Sequence, residues 1–95
     1  ERSSAVRTYD FVGVVHGETD ADGRVLIQQR GKFLVGDTLE ALTPSGSVEF
    51  TVTDIRTLEG EQRESAPHPK EMLVISGAPQ GLAPGHMLRI RRQNA

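Results

Sequence analysis

The sequence predicts an all-β fold, namely a small closed or nearly closed antiparallel β-barrel of about six strands. Apolar and polar side chains alternate over most of the chain, most clearly in residues 48–53 (VEFTVT), and a period of two is typical of strands with one buried face. Turn residues recur at intervals of roughly 8–12 residues, as they do in sandwiches and barrels. No segment keeps the i, i+3, i+4, i+7 spacing of an amphipathic helix. A barrel is favoured because closure removes the exposed edges that a small sheet cannot cover.

Six segments carry the strand pattern. The first, residues 8–16, is apolar on both faces, and Gly13 in its middle indicates a bend or a close approach of another backbone. The other five are residues 24–30, 38–43, 48–53, 71–76 and 87–91. We expect one domain over residues 1–95, with an ordered core over residues 8–92 and frayed ends at residues 1–6 and 93–95.

Five further segments have the composition of turns or crossings. Residues 20–23 (DADG) and 43–46 (TPSG) each end in glycine and are predicted to be hairpin loops. Residues 58–61 (LEGE) are predicted to be a third loop, and residues 83–86 (APGH) a turn before the last strand. Residues 66–69 (APHP) are predicted to be an extended crossing, because proline has no N–H group to donate to a strand ladder.

The core must consist mostly of Val, Leu and Ile, because the chain has no Trp, one Tyr and three Phe. The predicted core residues are Phe11, Val14, Val25, Ile27, Phe33, Val35, Leu39, Leu42, Val48, Phe50, Val52, Leu73, Ile75, Leu88 and Ile90.

Composition limits the class of protein. The absence of cysteine excludes disulfides and thiolate metal sites and fits a reducing compartment, so we expect a cytoplasmic protein. No apolar run approaches the ~18 residues of a membrane span, and we expect no membrane partner. The formal net charge of −2 argues against generic polyanion binding. Because the chain begins at Glu1 rather than at methionine, we expect it to be part of a longer protein.

Candidate metal ligands do not form a known pattern. Residues 20–23 superficially resemble a calcium loop, but Gln29 would stand where the bidentate carboxylate is required, so a plain hairpin turn is favoured. The histidines His16, His68 and His86 are separated by 52 and 18 residues, which matches no ligand spacing. We therefore expect no metal site and no cofactor.

Catalysis by the chain alone is not expected either. The Ser-Gly pairs at Ser45 and Ser76 lack the Gly-x-Ser-x-Gly elbow of serine hydrolases. Paired carboxylates such as Glu59 and Glu61 lie in exposed loops, where nothing would raise a pKa. We predict that the chain by itself is not an enzyme.

Basic residues supply the candidate binding site. In a barrel, Arg89 and Arg91 share the outward face while Leu88 and Ile90 point inward. Such arginines can hold phosphates, or they can simply keep the surface soluble. RNA contact is the less favoured alternative because no aromatic residues are interleaved for base stacking. The candidate substrate-binding residues are Arg30, Lys32, Arg89 and Arg91.

Five segments in sequence order resemble one family, and together they cover nearly the whole chain. They are residues 9–15 (YDFVGVV), 28–37 (QQRGKFLVGD), 39–46 (LEALTPSG), 50–52 (FTV) and 66–69 (APHP). The chain resembles the C-terminal domain of the collagenase-like peptidases, peptidase family U32. Relatives often carry a polar residue such as Asn at the position of Gly31, and we expect the glycine to loosen the corner before Lys32.

The resemblance implies a small β-barrel, similar to the barrels of translation factors, beside a larger catalytic domain built on a TIM-like barrel. It implies a parent protein that is a peptidase, a hydrolase, or a relative that takes part in hydroxylating a tRNA uridine. No catalytic residue is carried over from the family to this chain.

We therefore expect a non-catalytic accessory domain, monomeric in isolation. It would dock on its own N-terminal catalytic domain and help to hold a macromolecular substrate, either protein or tRNA. An autonomous RNA-binding barrel and a domain with its own peptidase activity are the alternatives.

Overall fold

All regular structure in the described part of the chain is β-strand. A computed structural model describes residues 6–66 and 70–94. The ten strands are β1 (Val6–Val15), β2 (Val25–Gln29), β3 (Phe33–Leu34), β4 (Thr38–Thr43), β5 (Gly46–Thr51), β6 (Asp54–Thr57), β7 (Gln62–Arg63), β8 (Ser65–Ala66), β9 (Met72–Ser76) and β10 (Met87–Asn94). All six predicted strands are present, and β3, β6, β7 and β8 are short additions. Within these residues no helix is long and apolar enough to cross a membrane.

The strands form one large antiparallel sheet with the order β5-β4-β10-β1-β2-β9-β6-β7, and β3 pairs with β8 in a separate ladder. The large sheet curls into a half-barrel around its apolar face. The predicted all-β, nearly closed antiparallel barrel is therefore confirmed.

The sheet approaches closure where the chain passes from β5 into β6. The N–H of Val52 donates to the carbonyl oxygen of Asp37 (2.9 Å), and the N–H of Thr53 donates to that of Ser76 (3.0 Å), at the end of β9. Gly77 follows with φ +93°, and a Cβ atom there would collide with the carbonyl oxygen of Thr51. A glycine is thus required where β5 and β9 meet.

The first and last strands, β1 and β10, are paired with each other in the middle of the sheet. The register of β1 and β10 runs from Val6 opposite Asn94 to Val14 opposite Met87. Strand pairing extends to Val6 and to residues 93–94, and the fraying of the ends stays a prediction. Residues 1–5 and 95 lie outside the described part of the chain.

A β-bulge in β1 changes which side chains face the core. The register shifts between Phe11 and Gly13, and the extra residue advances the inward–outward alternation by one. Val12 and Val15 are consequently buried, whereas Phe11 is exposed and Val14 is partly exposed. The prediction of Phe11 and Val14 as core residues is wrong for this reason.

The other core predictions fail only at three positions. Val35 is exposed in the turn after β3, and Leu42 is partly exposed because Leu39 and Ala41 take the inward positions of β4. Val48 is exposed because β5 is an edge strand. The remaining ten predicted residues are buried, and the core also contains Val12, Val15, Ala41, Ile55, Ala78 and Leu82.

The turns follow the predicted chemistry. Gly23 has φ +80°, and residues 43–46 close the hairpin of β4 and β5, with Thr43 opposite Gly46. Gly60 donates its N–H to the carbonyl oxygen of Thr57 (2.9 Å) in the third loop. His86 donates its N–H to the carbonyl oxygen of Ala83 (3.2 Å) before β10. In the predicted crossing, Ala66 belongs to β8, while residues 67–69 lie outside the described part.

Candidate binding face on the outer side of the sheet

Strand β10 presents Arg89 and Arg91 on the outer side of the sheet, as predicted. Leu88 and Ile90 are buried in the core. Arg89 is half-buried and Arg91 is exposed on the opposite side. The alternation of a strand with one apolar face produces this arrangement.

A row of polar and aromatic side chains crosses four strands at the level of Arg89. Phe11 of β1 is opposite Arg89 of β10, Arg89 is opposite Glu40 of β4, and Glu40 is opposite Glu49 of β5. Directly paired residues project from the same side of a sheet. One residue pair further along, Tyr9 is opposite Arg91.

Arg89 is held from two directions. Its Nε–H donates to Oε1 of Glu40 at 2.6 Å, and its guanidinium carbon lies 3.8 Å from the centroid of the Tyr9 ring. The side chains of Arg89 and Glu40 are 25% and 12% exposed, so this ion pair is shielded from solvent. The hydrogen bond from Arg89, and then one from Ser47, hold the pKa of Glu40 below its usual value.

Arg91 is also paired, but in solvent. Its Nη2–H donates to Oε2 of Glu49 at 3.0 Å, and the two side chains are 41% and 56% exposed. Water and salt screen such a pair strongly. Arg89 and Arg91 are therefore accompanied by carboxylates from β4 and β5, which largely balance their positive charge.

Two aromatic rings lie on the same outer surface. Tyr9 is 41% exposed and Phe11 is 52% exposed. We call the surface formed by Tyr9, Phe11, Arg89 and Arg91 the aromatic–arginine face. Its two aromatic residues lie among the arginines. The sequence pattern alone did not reveal them because Phe11 was assigned to the core.

The second pair of predicted site residues lies on the other side of β1. The sheet order places β10 along one edge of β1 and β2 along the other. Arg30 follows β2, and the N–H groups of Arg30 and Gly31 donate to the carbonyl oxygen of Val12 at 2.8 and 3.3 Å. Arg30 and Lys32 are both exposed. The four cations therefore flank strand β1 from both sides instead of forming one cluster.

Gly31 allows this corner to cross β1 closely. A Cβ atom at position 31 would lie 2.7 Å from the carbonyl oxygen of Phe11, closer than a side chain tolerates. The expectation that Gly31 loosens the corner is wrong, because the glycine permits a tight contact. The backbone that carries Phe11 is thereby supported from the β2 side.

Sequence reasoning missed Tyr9, Phe11, Glu40 and Glu49 as members of the surface. A usable signal was present only for Phe11, because a glycine inside a strand is typical of a β-bulge, which reverses the facing of its neighbours. The pairing of Arg89 with Glu40 joins residues 49 positions apart. No local pattern reveals such a contact.

The carboxylate of Asp20 holds the backbone of the turn at residues 20–23 through hydrogen bonds. Oδ1 of Asp20 accepts the N–H groups of Asp22 and Arg24, both at 2.9 Å. The hydrogen bond from Arg24 is the main cause of the lowered pKa of Asp20. Within residues 6–66 and 70–94, no three His, Cys, Asp or Glu side chains are placed to hold a metal ion.

A separate open groove of about 440 Å³ lies between the β4–β5 hairpin and the segment before β10. His86 is its one titratable lining residue among those described, and Nδ1 of His86 accepts the N–H of Ala83 at 3.2 Å. His16 is exposed, and His68 lies outside the described part. In that part, no hydrogen bond joins a serine or threonine hydroxyl to a histidine.

The fold and this surface define a small all-β domain with an exposed candidate binding face. Residues 7–89 match the family model described as the peptidase family U32 C-terminal domain. The chain belongs to this family.

Two curated relatives are similar over part of the chain, and both are named tRNA hydroxylation protein P. The Escherichia coli K12 protein is 39% identical over 57 residues, and the Haemophilus influenzae protein is 30% identical over 56 residues. These matches cover 60% and 59% of the chain and 12% of each relative. The matched region is thus about an eighth of the length of these relatives.

Two crystal structures show a similar fold. Both are of the C-terminal domain of a Geobacillus thermoleovorans protein assigned to the U32 peptidases, one as a selenomethionine variant. Each has a TM-score of 0.76, with 27% identity for the variant and 25% for the other. They cover 84% and 90% of the chain, which in turn covers 98% and 93% of them. Domains of this size and fold therefore exist as separate folded units.

Proposed function

We propose that this chain is a non-catalytic accessory domain that helps a larger U32-family protein to hold a macromolecular substrate. It would dock beside the catalytic part of that protein, a collagenase-like peptidase or a tRNA-hydroxylation enzyme. The chain matches only a small part of the length of each curated relative, and this supports an accessory role.

The observation that carries the proposal is the aromatic–arginine face. Tyr, Phe and Arg are enriched in binding surfaces because each offers a large contact area with a polar or charged part. Here Arg89 is already oriented by Glu40 and Tyr9, so binding would not need to order its side chain. The lack of cysteine supports a reducing, cytoplasmic location.

The experiment compares the full-length parent protein with a version that lacks this domain. We expect deletion to weaken substrate binding and to leave the turnover of saturating substrate largely unchanged, because a holding domain acts on binding. Equal substrate affinity with and without the domain would rule the proposal out. Loss of turnover at saturating substrate would instead indicate a catalytic contribution.

A charge-matched comparison tests the two candidate cations that follow β2, Arg30 and Lys32. Arg30→Ala/Lys32→Ala should weaken substrate binding, whereas Arg24→Ala/Arg56→Ala should not. Both double variants remove two positive charges from exposed side chains. If the two double variants weaken binding equally, net charge rather than the position of Arg30 and Lys32 is responsible.

A further inference from the structure

We infer that an apolar patch on the outer side of the sheet docks this domain onto an apolar surface of the larger part of the same polypeptide. The patch lies beside the aromatic–arginine face and does not include it. This inference rests on the proposed function and names the docking surface and the chemistry of its partner.

One row of outward side chains crosses five neighbouring strands. Leu42 of β4 is opposite Met87 of β10, and Met87 is opposite Val14 of β1. Val14 is also opposite Gln28 of β2, which in turn is opposite Met72 of β9. Each of these residues is partly exposed, and directly paired residues project from the same side of a sheet. The row is therefore apolar except at Gln28.

Strands β2 and β9 add a second apolar pair to this side of the sheet. Leu26 is opposite Val74, and both are partly exposed, whereas the adjacent Ile27 and Leu73 are fully buried. A sheet with one solvated face usually alternates apolar and polar residues, but these two strands carry apolar side chains on both faces. This pattern indicates that the outer face is covered too. We call the six outward residues the outer apolar patch: Val14, Leu26, Leu42, Met72, Val74 and Met87.

A groove at one end of the row can take a side chain of the partner. Met72 lines an open groove of about 220 Å³ together with Thr57 and Leu58. Leu58 is 63% exposed, so apolar surface continues from the patch into this groove. Residues that anchor protein interfaces usually fill pockets, and an apolar side chain fits this one.

The size of the patch favours a partner in the same polypeptide over a second copy of the chain. Five strands and two rows of outward residues span at most about 24 Å by about 14 Å, or about 330 Å² on each partner. Stable complexes between separate proteins bury about 800 Å² on each partner. Interfaces between domains of one chain begin at about 600 Å² for both sides together, because docking is then intramolecular.

The relatives contain enough additional polypeptide to supply such a partner. The matched region is about an eighth of the length of the two curated relatives, and the family model describes a C-terminal domain. In proteins of this kind, most of the polypeptide is covalently joined to the domain. A permanent partner also suits an apolar patch better than a substrate does, since a substrate that leaves would expose the patch to water.

Docking through the patch leaves the aromatic–arginine face at the rim of the interface. On β10, Arg89 is two residues from Met87, and both project outward. The ion pair of Arg89 and Glu40 suits a polar rim. A substrate held by Phe11 and Arg89 would then lie next to the larger part of the protein.

The methionines report on docking without an added label. The chain has two, Met72 and Met87, and both belong to the patch. Hydrogen peroxide converts accessible methionine to the sulfoxide, and peptide mass spectrometry gives the rate at each position in the 95-residue chain and in the full-length parent protein. We expect oxidation about tenfold or more slower in the full-length protein, since a docked population of about 90% covers the sulfur atoms most of the time.

A pair of double variants tests the patch directly. Val14→Thr/Val74→Thr keeps the shape of the side chains and suits strands. Docking would bury the added hydroxyl groups, so we expect oxidation in the full-length protein to become about fivefold or more faster. The matched control, Val35→Thr/Val48→Thr, makes the same change at exposed residues outside the patch. Equal rates for the isolated variants and the isolated wild-type chain exclude unfolding as the cause.

Three results would overturn the inference: equal oxidation rates in the isolated chain and the full-length protein, equal effects of the two double variants, or slower oxidation of the isolated chain at higher chain concentration. The third would assign the patch to contact between copies. In the deletion experiment, lower substrate affinity combined with unprotected methionines would reject this inference and retain the proposed function. Protected methionines with unchanged substrate affinity would retain the docking surface and reject the role in holding substrate.

Discussion

Glu40 shows how a single carboxylate is accommodated on a crowded sheet. It is the one charged side chain that is buried among the described residues, and burial alone would raise its pKa. The hydrogen bond from Arg89 outweighs that effect, and the pKa is lowered. The neighbouring pair of Arg91 and Glu49 has the same chemistry but is exposed, so the two pairs allow a direct comparison.

Removing Glu40 should cost more stability than removing Glu49. Glu40→Ala leaves the half-buried Arg89 without its acceptor, and we expect a loss of about 1–3 kcal/mol in the free energy of unfolding. Glu49→Ala removes a screened surface pair and should cost less than about 1 kcal/mol. Urea denaturation of both variants measures the difference. Equal losses would contradict the burial argument.

Acid should destabilise the protein partly through Glu40. Because its folded-state pKa lies below the ordinary value of 4.5, the ionised carboxylate stabilises the fold above that pH. This contribution is lost as the pH falls from 4.5 through the folded-state pKa. Glu40→Gln should therefore flatten the decline of the free energy of unfolding in this window. A residual decline should remain, since the pKa values of Asp20 and Asp54 are also lowered.

At the level of elements, the bulge in β1 determines the outer surface of the sheet. The glycine after β9 determines how the sheet closes. The bulge assigns Phe11 to the outer surface and Val12 to the core. Gly77 lets the ends of β5 and β9 approach each other. In both places the sequence shows a glycine inside or just after a strand, which is typical of a bend or a close contact.

Gly77→Ala should destabilise the protein more than Gly81→Ala. Both glycines have a positive φ, +93° and +95°, but only at position 77 would a Cβ atom meet another backbone. The shared conformational cost is about 1 kcal/mol. The collision at position 77 should add about 1–3 kcal/mol. Thermal or urea unfolding gives both values, and equal losses would show that β5 and β9 are not in close contact.

At the scale of the whole molecule, the fold depends on pairing the first strand with the last. β10 lies between β4 and β1 in the sheet, and it contributes the buried Leu88 and Ile90. Without it, β4 and β5 would lose their connection to the other strands of the large sheet. Long-range pairing of this kind also makes folding slow compared with helical domains.

A chain that ends before β10 should not fold cooperatively. We expect truncation after His86 to abolish the cooperative thermal transition measured by circular dichroism. Addition of a synthetic peptide of residues 87–94 should restore it in part, which separates loss of the strand from general aggregation. A cooperative transition in the truncated chain without the peptide would show that the remaining strands form a stable core alone.

Periodicity and turn chemistry predicted the six main strands and the turns that connect them. They did not predict β6, because a short strand has too few residues for a clear period. They also gave the wrong facing for Phe11 and Val14, because the bulge shifts the alternation of inward and outward side chains. The alternation along β10 correctly predicted that Arg89 and Arg91 lie on the outer face, and their role in binding stays a prediction. Arg30 and Lys32 lie across β1 from them, an arrangement that depends on strand order.

Three properties could be read from the amino-acid sequence alone: the all-β class, the positions of the main strands and turns, and the resemblance to the U32 family. These properties follow from local patterns: the two-residue period, the glycines and prolines, and short motifs in order. The folded structure was needed to show which aromatic rings are exposed, which carboxylates hold the arginines and where the sheet closes. Those features depend on the register between strands, and register joins residues such as Glu40 and Arg89 that lie far apart in the chain.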